Sequence, residues 1–226
     1  LLFYDRETIK KTSITFPDIY YTPEYGEAIE YSDNGIWECC VFKDLIYVYI
    51  KRPVKFNNNI YYDLITPYGY SGYYYKKIET FNEFIPLFRK EAKDKNFVVE
   101  VVRQNPYLDA NIEISNYKLL KTQDVYGIQI DNFDNFFKKV LPSKKRNMYN
   151  KGIKNNFSFE LIKLSEKILD TKFREIYEST MDKLKASKYY YFNDMYYRSL
   201  EKINDIYLAL AYNKDNILIG SIIIFK

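Results

Sequence analysis

Two apolar runs, Ile36–Phe42 and residues 45–52, stand only two residues apart. The Lys-Asp pair between them leaves room for a tight turn and nothing longer, so the runs are predicted to pair as an antiparallel hairpin. A third apolar run, residues 60–65, follows three consecutive asparagines that favour a turn. The chain is therefore predicted to build an antiparallel sheet early.

The next stretch indicates a loop, a helix and one more strand. Residues 67–73 contain two glycines and a proline, a composition typical of a loop. Thr80 and Glu83 have the spacing of a capping box, which predicts a helix start. Four apolar side chains then share one helical face: Phe81, Phe84, Ile85 and Phe88. Residues 97–103 follow as a predicted buried strand, which gives a first unit of order β-β-β-loop-α-β.

A second unit is predicted from residue 126 onward. Residues 126–130 read as a strand ended by Asp131, and Pro142 ends the short helix that comes next. Ser143 is placed to cap a basic helix that ends near Gly152. The remaining predicted elements are a strand at 157–163, helices at 168–184 and 193–203, and a hairpin of strands at 206–212 and 217–225.

The chain contains no histidine, and this excludes several kinds of site. A Ser-His-Asp triad, a Cys-His dyad and a His-ligated zinc ion all need an imidazole. The only cysteines, Cys39 and Cys40, are adjacent inside a predicted strand, so a disulfide framework is excluded and a thiol nucleophile is disfavoured. We expect no metal site and a reducing compartment, the cytoplasm.

Length and composition predict a folded chain of more than one lobe. With 226 residues and 47% apolar content, the chain has enough apolar surface for a substantial core. No apolar run approaches the roughly 20 residues of a membrane-spanning helix, so no span is expected. The net charge of +4 is a weak bias and does not by itself indicate a nucleic-acid surface. Because the chain opens on Leu1 and its last strand stops at Lys226, we interpret it as a fragment.

Four short segments carry a resemblance to a known family. They are residues 62–72 (YDLITPYGYSG), 102–106 (VRQNP), 144–152 (KKRNMYNKG) and the pair 176–182 (IYESTMD) and 189–192 (YYYF). In this order they resemble motifs of FemAB-like proteins, which belong to the GNAT acyltransferase superfamily. The third segment is a degenerate form of the basic helix of that group.

The resemblance implies an α/β (α+β) fold of two tandem GNAT-like lobes with mixed, mostly antiparallel central sheets flanked by helices. Residues 1–125 would form the first lobe, and residues 126–226 the N-terminal part of an incomplete second lobe. It also implies N-acyl transfer from acyl-CoA or aminoacyl-tRNA, a co-substrate rather than a permanently bound cofactor. The acceptor would be an amine of a nucleotide-sugar, a glycan or a peptidoglycan precursor, with tRNA as a further candidate partner.

The first group of predicted substrate-binding residues surrounds the glycine-containing loop. Tyr68, Gly69 and Tyr70 either line a cleft or form a rigid surface turn. Arg103, followed by Asn105, either clamps a phosphate or carboxylate or forms a structural ion pair. The sequence assigns no catalytic residue.

The second group lies in the second unit. Lys144, Lys151 and Lys154 approximately share one side of the basic helix, where they either bind a nucleotide-sugar diphosphate or RNA phosphates or form a solvated face. The resemblance implies that Arg146 and Tyr149 contact the acceptor. Tyr190, in a run of aromatic residues before a helix, either belongs to the core and the cleft rim or places a functional hydroxyl in the cleft.

Two alternatives stay open beside the enzyme. The first is a non-catalytic module that binds a glycan or a partner chain through the acceptor cleft. The second is RNA binding without chemistry, through the basic helix and stacking tyrosines. The resemblance implies that donor phosphates bind to elements that follow the last strand, so the fragment itself is expected to lack that half. Both the enzyme and the non-catalytic binding module require loop 67–73 and Arg146 to face one shared groove.

Overall fold

A computed structural model describes residues 1–106, 118, 120, 124–164 and 171–226. Its first elements are β1 (Leu2–Asp5), α1 (Arg6–Ile9), a 3-10 helix (Ile19–Tyr21), α2 (Pro23–Asp33), β2 (Ile36–Phe42), β3 (Leu45–Phe56), β4 (Asn59–Ile65), β5 (Tyr73–Tyr74), α3 (Ile78–Asp94) and β6 (Phe97–Val101). The later ones are α4 (Phe133–Asn135), a π-helix (Phe136–Val140), α5 (Ser143–Lys154), β7 (Ser158–Lys163), α6 (Phe173–Leu184), a 3-10 helix (Lys188–Tyr190), α7 (Asp194–Glu201), β8 (Ile206–Tyr212) and β9 (Leu218–Phe225). The predicted α+β class is confirmed.

A mixed sheet organises the first part of the chain. Its strand order is β1-β2-β3-β4-β6, and the short strand β5 pairs with the beginning of β3. The predicted hairpin is confirmed, since Phe42 pairs with Leu45 and Lys43 takes the left-handed backbone that its tight turn requires (φ 55°). Strands β1 to β4 are antiparallel neighbours, whereas β4 and β6 are parallel.

The parallel pair of strands is connected by helix α3. Parallel neighbours cannot be joined by a short hairpin, so the chain crosses over through a helix packed on the sheet. The four aromatic and aliphatic side chains predicted to share one face of α3 are all buried: Phe81, Phe84, Ile85 and Phe88. As a consequence, the carboxyl ends of β4 and β6 lie side by side at one edge of the sheet.

Strand β3 is buried on both faces, which explains its continuous apolar run. Leu45, Tyr47 and Tyr49 point to the face covered by α3. The alternate residues, Ile46, Val48 and Ile50, point to the opposite face. The sheet is therefore the middle layer between two apolar cores.

The second core joins the beginning of the chain to its end. A second sheet, of antiparallel order β7-β8-β9, places alternate residues of β8 inward: Ile206, Leu208 and Leu210. Helix α7 packs against α2, and Leu200 of α7 is fully buried in the same apolar cluster as Ala28 and Ile29 of α2. The predicted division into two lobes at residue 125 stays a prediction. The described parts of both halves share one apolar core.

The outer face of the second sheet is apolar and exposed. Phe159 and Leu161 of β7 are both 62% exposed, and Ile222 and Ile224 of β9 point the same way. None of the helices in the described ranges is both long enough and apolar enough to cross a membrane.

The short-range predictions of strands and helices hold in most places. Three strands of the first sheet, helix α7 and the final hairpin of β8 and β9 match their predicted positions to within a few residues. The strand predicted at 157–163 is β7. The predicted helix at 168–184 is confirmed from Phe173 onward, while its first residues up to 170 lie outside the described residues.

Three predictions are wrong in ways that matter for the site. Residues 126–130 form no strand and are exposed, because no neighbouring strand pairs with them in the described parts of the chain. Strand β6 is mostly exposed, with Val98 and Val99 each 54% accessible, because it lies at the edge of its sheet. Helix α3 begins at Ile78 after Lys77, so the Thr80–Glu83 capping box does not form.

Candidate functional site

The candidate site begins where the two parallel strands end. The N–H of Thr66 donates to the carbonyl of Val101 at 3.1 Å, which continues the pairing of β4 and β6 past their last residues. The N–H of Arg103 then donates to Oγ1 of Thr66 at 2.9 Å. Ligands of open sheets commonly bind outside the carboxyl ends of parallel strands, and this edge is where loop 67–73 leaves β4.

Loop 67–73 is held by polar contacts from two other segments, helix α2 and residues 104–105. The hydroxyl of Tyr25 donates to the carbonyl of Tyr68 at 2.8 Å. The side chain of Gln104 accepts from the N–H of Tyr73 at 3.2 Å and donates to its carbonyl at 3.0 Å. Asn105 donates to the carbonyl of Tyr70 at 3.4 Å. These contacts hold the loop in place. Asn105 helps to hold it, and its predicted role in substrate binding stays a prediction.

Gly69 occupies a backbone conformation that other residues rarely adopt. Its φ is +104°, and a Cβ added there would lie 2.3 Å from Cε1 of Tyr20. We expect Gly69→Ala to lower the free energy of unfolding by about 1–3 kcal/mol, because both the backbone and the Tyr20 ring would be strained. Urea denaturation followed by circular dichroism measures this change.

Gly152 provides the matched control for the Gly69 substitution. It lies in helix α5 with a normal helical backbone, and an added Cβ would meet only Phe157, at 3.8 Å. Gly152→Ala is expected to raise the free energy of unfolding by about 0.5–1 kcal/mol. Equal stability of the two variants would contradict the strained conformation assigned to Gly69.

Tyrosines from both halves of the chain meet beside this loop. The ring of Tyr68 lies 5.9 Å from that of Tyr189, 6.4 Å from that of Tyr190 and 5.8 Å from that of Phe192. Tyr177 of α6 donates to the carbonyl of Tyr190 at 2.8 Å, which fixes the 3-10 helix that carries it. Of the predicted residues, the structure thus brings Tyr68 and Tyr190 into one aromatic surface, while Gly69 and Tyr70 lie against the ring of Tyr20.

Arg103 lies against this surface without an acidic partner. Its guanidinium carbon is 6.0 Å from the centre of the Tyr189 ring, and Nη1 donates to the carbonyl of Thr66 at 3.4 Å. Among the residues that the structure describes, no carboxylate oxygen lies within 4.0 Å of an Arg103 nitrogen. Arg52, by contrast, makes a two-pronged pair with Asp63 at 2.9 and 2.6 Å. The predicted structural ion pair of Arg103 is therefore not seen in these ranges.

A buried carboxyl group, Asp33, lies near Arg103 at the end of helix α2. Its side chain is only 8% exposed; Oδ1 accepts a hydrogen bond from Ser32 at 3.3 Å, and Oδ2 has no partner in the described part of the chain. Burial raises the pKa of Asp33, against the Ser32 hydrogen bond and the charges of Arg103 and Arg52, which lower it. The C-terminal end of a helix also disfavours a negative charge.

The raised pKa makes the stability of the fold depend on pH through Asp33. Ionisation of this carboxyl costs stability as pH rises from below its ordinary pKa of 3.8 through the raised value. We expect Asp33→Asn to stabilise the protein relative to wild type by about 1–3 kcal/mol near neutral pH, with a smaller gain at about pH 4. Urea denaturation at both pH values measures the difference.

Asp215 gives the control for this pH-dependent effect. It is an exposed residue in the turn before β9. Asp215→Asn is expected to change stability little at either pH. If Asp33→Asn changed stability by the same amount at both pH values, Asp33 would not be the buried ionisable group described above.

The predicted site residues on helix α5 contact other residues than those of the aromatic surface around Tyr68. Nη1 of Arg146 donates to the carbonyls of Lys138 at 3.1 Å and Leu141 at 2.5 Å, so its guanidinium holds the end of the preceding helix. The Tyr149 ring packs on Phe133 and Phe137. No hydrogen bond, ion pair or ring contact between described residues links Arg146 or Tyr149 to Tyr68, Tyr70 or Arg103. Lys151 lies exposed on the same helix.

Two concave regions lie away from this aromatic surface. A depression of about 320 Å³ crosses the first sheet, where Lys51 pairs with Glu38 and lies over the Tyr62 ring. A second, of about 400 Å³, is lined by residues around Tyr212. Both are open rather than enclosed. In the first, Lys51 pairs with Glu38, Lys95 lies over the Phe3 ring, and Asp5 accepts hydrogen bonds from Thr8.

The two cysteines are buried side chains of β2. Burial raises the pKa of Cys39, and it raises the pKa of Cys40 to about 12. A thiolate nucleophile is therefore disfavoured at both positions. Within the described ranges, no group of three or more Cys, Asp or Glu side chains is arranged to hold a metal ion.

Comparison with known proteins gives this chain no family assignment. No family model matches it, and no curated protein matches it. The resemblance to FemAB-like proteins stays a prediction from four short segments.

Sequence reasoning missed Asp33, the most unusual polar side chain of the site. A signal was present, because the Asp33-Asn34-Gly35 sequence favours a helix end or a turn, and an acidic residue there opposes the helix dipole. Its burial beside Arg103 depends on the packing of α2 on the sheet.

Proposed function

We propose that the chain belongs to a cytoplasmic N-acyltransferase and contributes the surface that binds the amine acceptor. Transfer would run from acyl-CoA or aminoacyl-tRNA to an amine of a nucleotide-sugar, a glycan or a peptidoglycan precursor. The observation that carries the proposal is the juxtaposition of Arg103, Tyr68 and Tyr189 at the carboxyl ends of a parallel strand pair.

The chemistry requires little from the protein beyond placement. The acceptor amine must be neutral, the acyl carbonyl must be polarised, and the two must be held roughly 3–3.5 Å apart. Tyrosine hydroxyls and backbone N–H groups can orient a sugar or a peptide, and a guanidinium can hold its phosphate or carboxylate. A chain without histidine can meet these needs.

The start of helix α3 supports binding of the acceptor rather than the donor at this edge. The Asp44 carboxylate accepts from the N–H of Lys76 at 3.2 Å and hydrogen-bonds Thr80, so a negative charge already occupies the helix start. Phosphates of an acyl donor would be repelled there. The donor is accordingly assigned to another surface.

A mass-shift assay tests the proposed reaction. The full-length natural protein is incubated with acetyl-CoA or with charged tRNA, each combined with an amino sugar or a peptidoglycan stem peptide, and the acceptor is examined for an acyl mass gain. Tyr70→Phe is expected to reduce the acceptor's affinity without unfolding the protein, whereas Tyr149→Phe is expected to have no effect. Absence of a mass gain with every pair would contradict the proposed activity.

The occupied helix start also favours a second candidate, a non-catalytic module that binds a glycan or a partner chain. In that case the aromatic surface binds the ligand and no transfer follows. Calorimetric binding of an amino sugar or stem peptide without any mass gain would favour this candidate over the enzyme.

A further inference from the structure

The unsatisfied atom Oδ2 of Asp33 is the starting observation. A buried carboxylate oxygen without a hydrogen bond is costly, and native proteins seldom leave one in that state. Asp33 meets this description, being only 8% exposed with one oxygen unpartnered among the described residues. Such a group is suited to accept a hydrogen bond from a ligand.

The nearby guanidinium of Arg103 lacks an acidic partner in the described ranges. It donates weakly to the carbonyl of Thr66 at 3.4 Å and interacts with the side chain of Tyr189, and it has no carboxylate within 4.0 Å in the described ranges. Arg52, which also acts on Asp33 through its charge, is engaged by Asp63. Among the residues that the structure describes here, Arg103 is therefore a cation without an acidic partner.

Asp33 and Arg103 are close enough to influence each other and too far apart to pair. Gly35, two residues after Asp33, packs against Ile50 of β3, which pairs with Ile65 at the end of β4. The N–H of Arg103 donates to the next residue, Thr66, so both residues lie at this edge of the sheet, and the charge of Arg103 acts on Asp33. Their charged atoms are nevertheless more than 4.0 Å apart. A ligand with a donor at one end and an anionic oxygen at the other would satisfy both groups at once.

We infer that Asp33 and Arg103 together bind a ligand that carries a primary amine and an anionic group. The amine donates to Oδ2 of Asp33, and the anionic oxygen accepts from the Arg103 guanidinium. Tyr189 is the side chain whose movement gives access, since it lies against Arg103 and is itself 37% exposed. The inference rests on the proposed function, in which the amine is the acyl acceptor, and it makes Asp33 the residue that orients that amine.

Three related sugars distinguish the contribution of the amine to binding from that of the anionic group. Glucosamine 6-phosphate carries both the amine and the phosphate, glucose 6-phosphate carries only the phosphate, and glucosamine carries only the amine. In isothermal titration near neutral pH, the wild-type chain is expected to bind glucosamine 6-phosphate at least about tenfold more tightly than either relative. Equal affinity for the two phosphates, or binding of none of the three, would overturn the inference.

Asp33→Asn tests the residue itself. The variant is expected to lose the tenfold preference for the amine-bearing phosphate while its affinity for glucose 6-phosphate stays unchanged. Asp215→Asn, at an exposed turn, is expected to keep the preference. A preference that survives in Asp33→Asn would overturn the role of Asp33, and the wild-type ratio remains decisive if the variant fails to fold.

The same variants distinguish this inference from the proposed enzyme. If the chain preferred glucosamine 6-phosphate but no acyl transfer occurred, the proposed enzymatic activity would be contradicted and the binding site would stand. Acyl transfer that proceeds equally well in Asp33→Asn, with unchanged KM for the acceptor, would keep the enzyme and remove Asp33 from it.

Discussion

Replacement of Leu200 by alanine is expected to lower the free energy of unfolding by about 2–5 kcal/mol. Leu200 is fully buried on α7 in the cluster that also contains Ala28 and Ile29 of α2. Its truncation leaves a cavity between elements from opposite ends of the chain, which cannot collapse without moving both. Because the core is shared, the loss should appear in a single cooperative urea transition.

Met195 supplies the control for this substitution. It lies on the same helix but is 44% exposed, so Met195→Ala is expected to cost well under 1 kcal/mol. Two separate unfolding transitions, with only the second-half transition shifted by Leu200→Ala, would contradict a core common to both parts of the chain.

Arg103→Ala is expected to weaken binding of glucose 6-phosphate by about 10- to 100-fold. Loss of a charge-assisted hydrogen bond to an anionic group has this magnitude, and Arg103 has no acidic partner among the described residues that would compete. The fold should tolerate the change, since the backbone N–H that bonds Thr66 is retained. Isothermal titration measures the affinity, and circular dichroism checks the fold.

Two variants sharpen the test of Arg103. Arg103→Lys keeps the charge but loses the planar fork, so an intermediate affinity is expected. Arg198→Ala removes an exposed arginine on α7, away from the aromatic surface, and should leave binding unchanged. Equal losses in Arg103→Ala and Arg198→Ala would indicate that only net charge matters.

The sequence predicts well those elements whose structure is determined by residues close together in the chain. The hairpin of β2 and β3 follows from two apolar runs and a two-residue turn, and the buried face of α3 follows from helical spacing. Strand β6 has an equally apolar sequence, yet Val98 and Val99 are largely exposed. Burial there depends on position within the sheet, which local pattern does not specify.

The candidate site was predictable only in part, for the same reason. Tyr68 and Arg103 follow strands that are adjacent in the sheet, so their proximity follows from the strand order. Tyr190 lies beside Tyr68 only because the last part of the chain packs against α2 in the shared core. Arg146 was predicted on a facing wall, but it caps the helix that precedes its own. The Asp33-Asn34-Gly35 sequence indicates a helix end, but local sequence does not show that one Asp33 oxygen is buried without a partner among the described residues.

Nuclear magnetic resonance of tyrosine rings tests the location of the site most directly. The chain labelled with ¹³C in its tyrosine rings would be titrated with glucosamine 6-phosphate, and individual signals would be assigned by Tyr→Phe substitution. We predict that the signals of Tyr68 and Tyr189 shift, while those of Tyr62 in the sheet depression, Tyr149 on α5 and Tyr212 in the second concave region remain in place. Shifts of Tyr149, Tyr62 or Tyr212 with Tyr68 and Tyr189 unchanged would contradict the assignment of the ligand to the Asp33–Arg103 edge of the sheet.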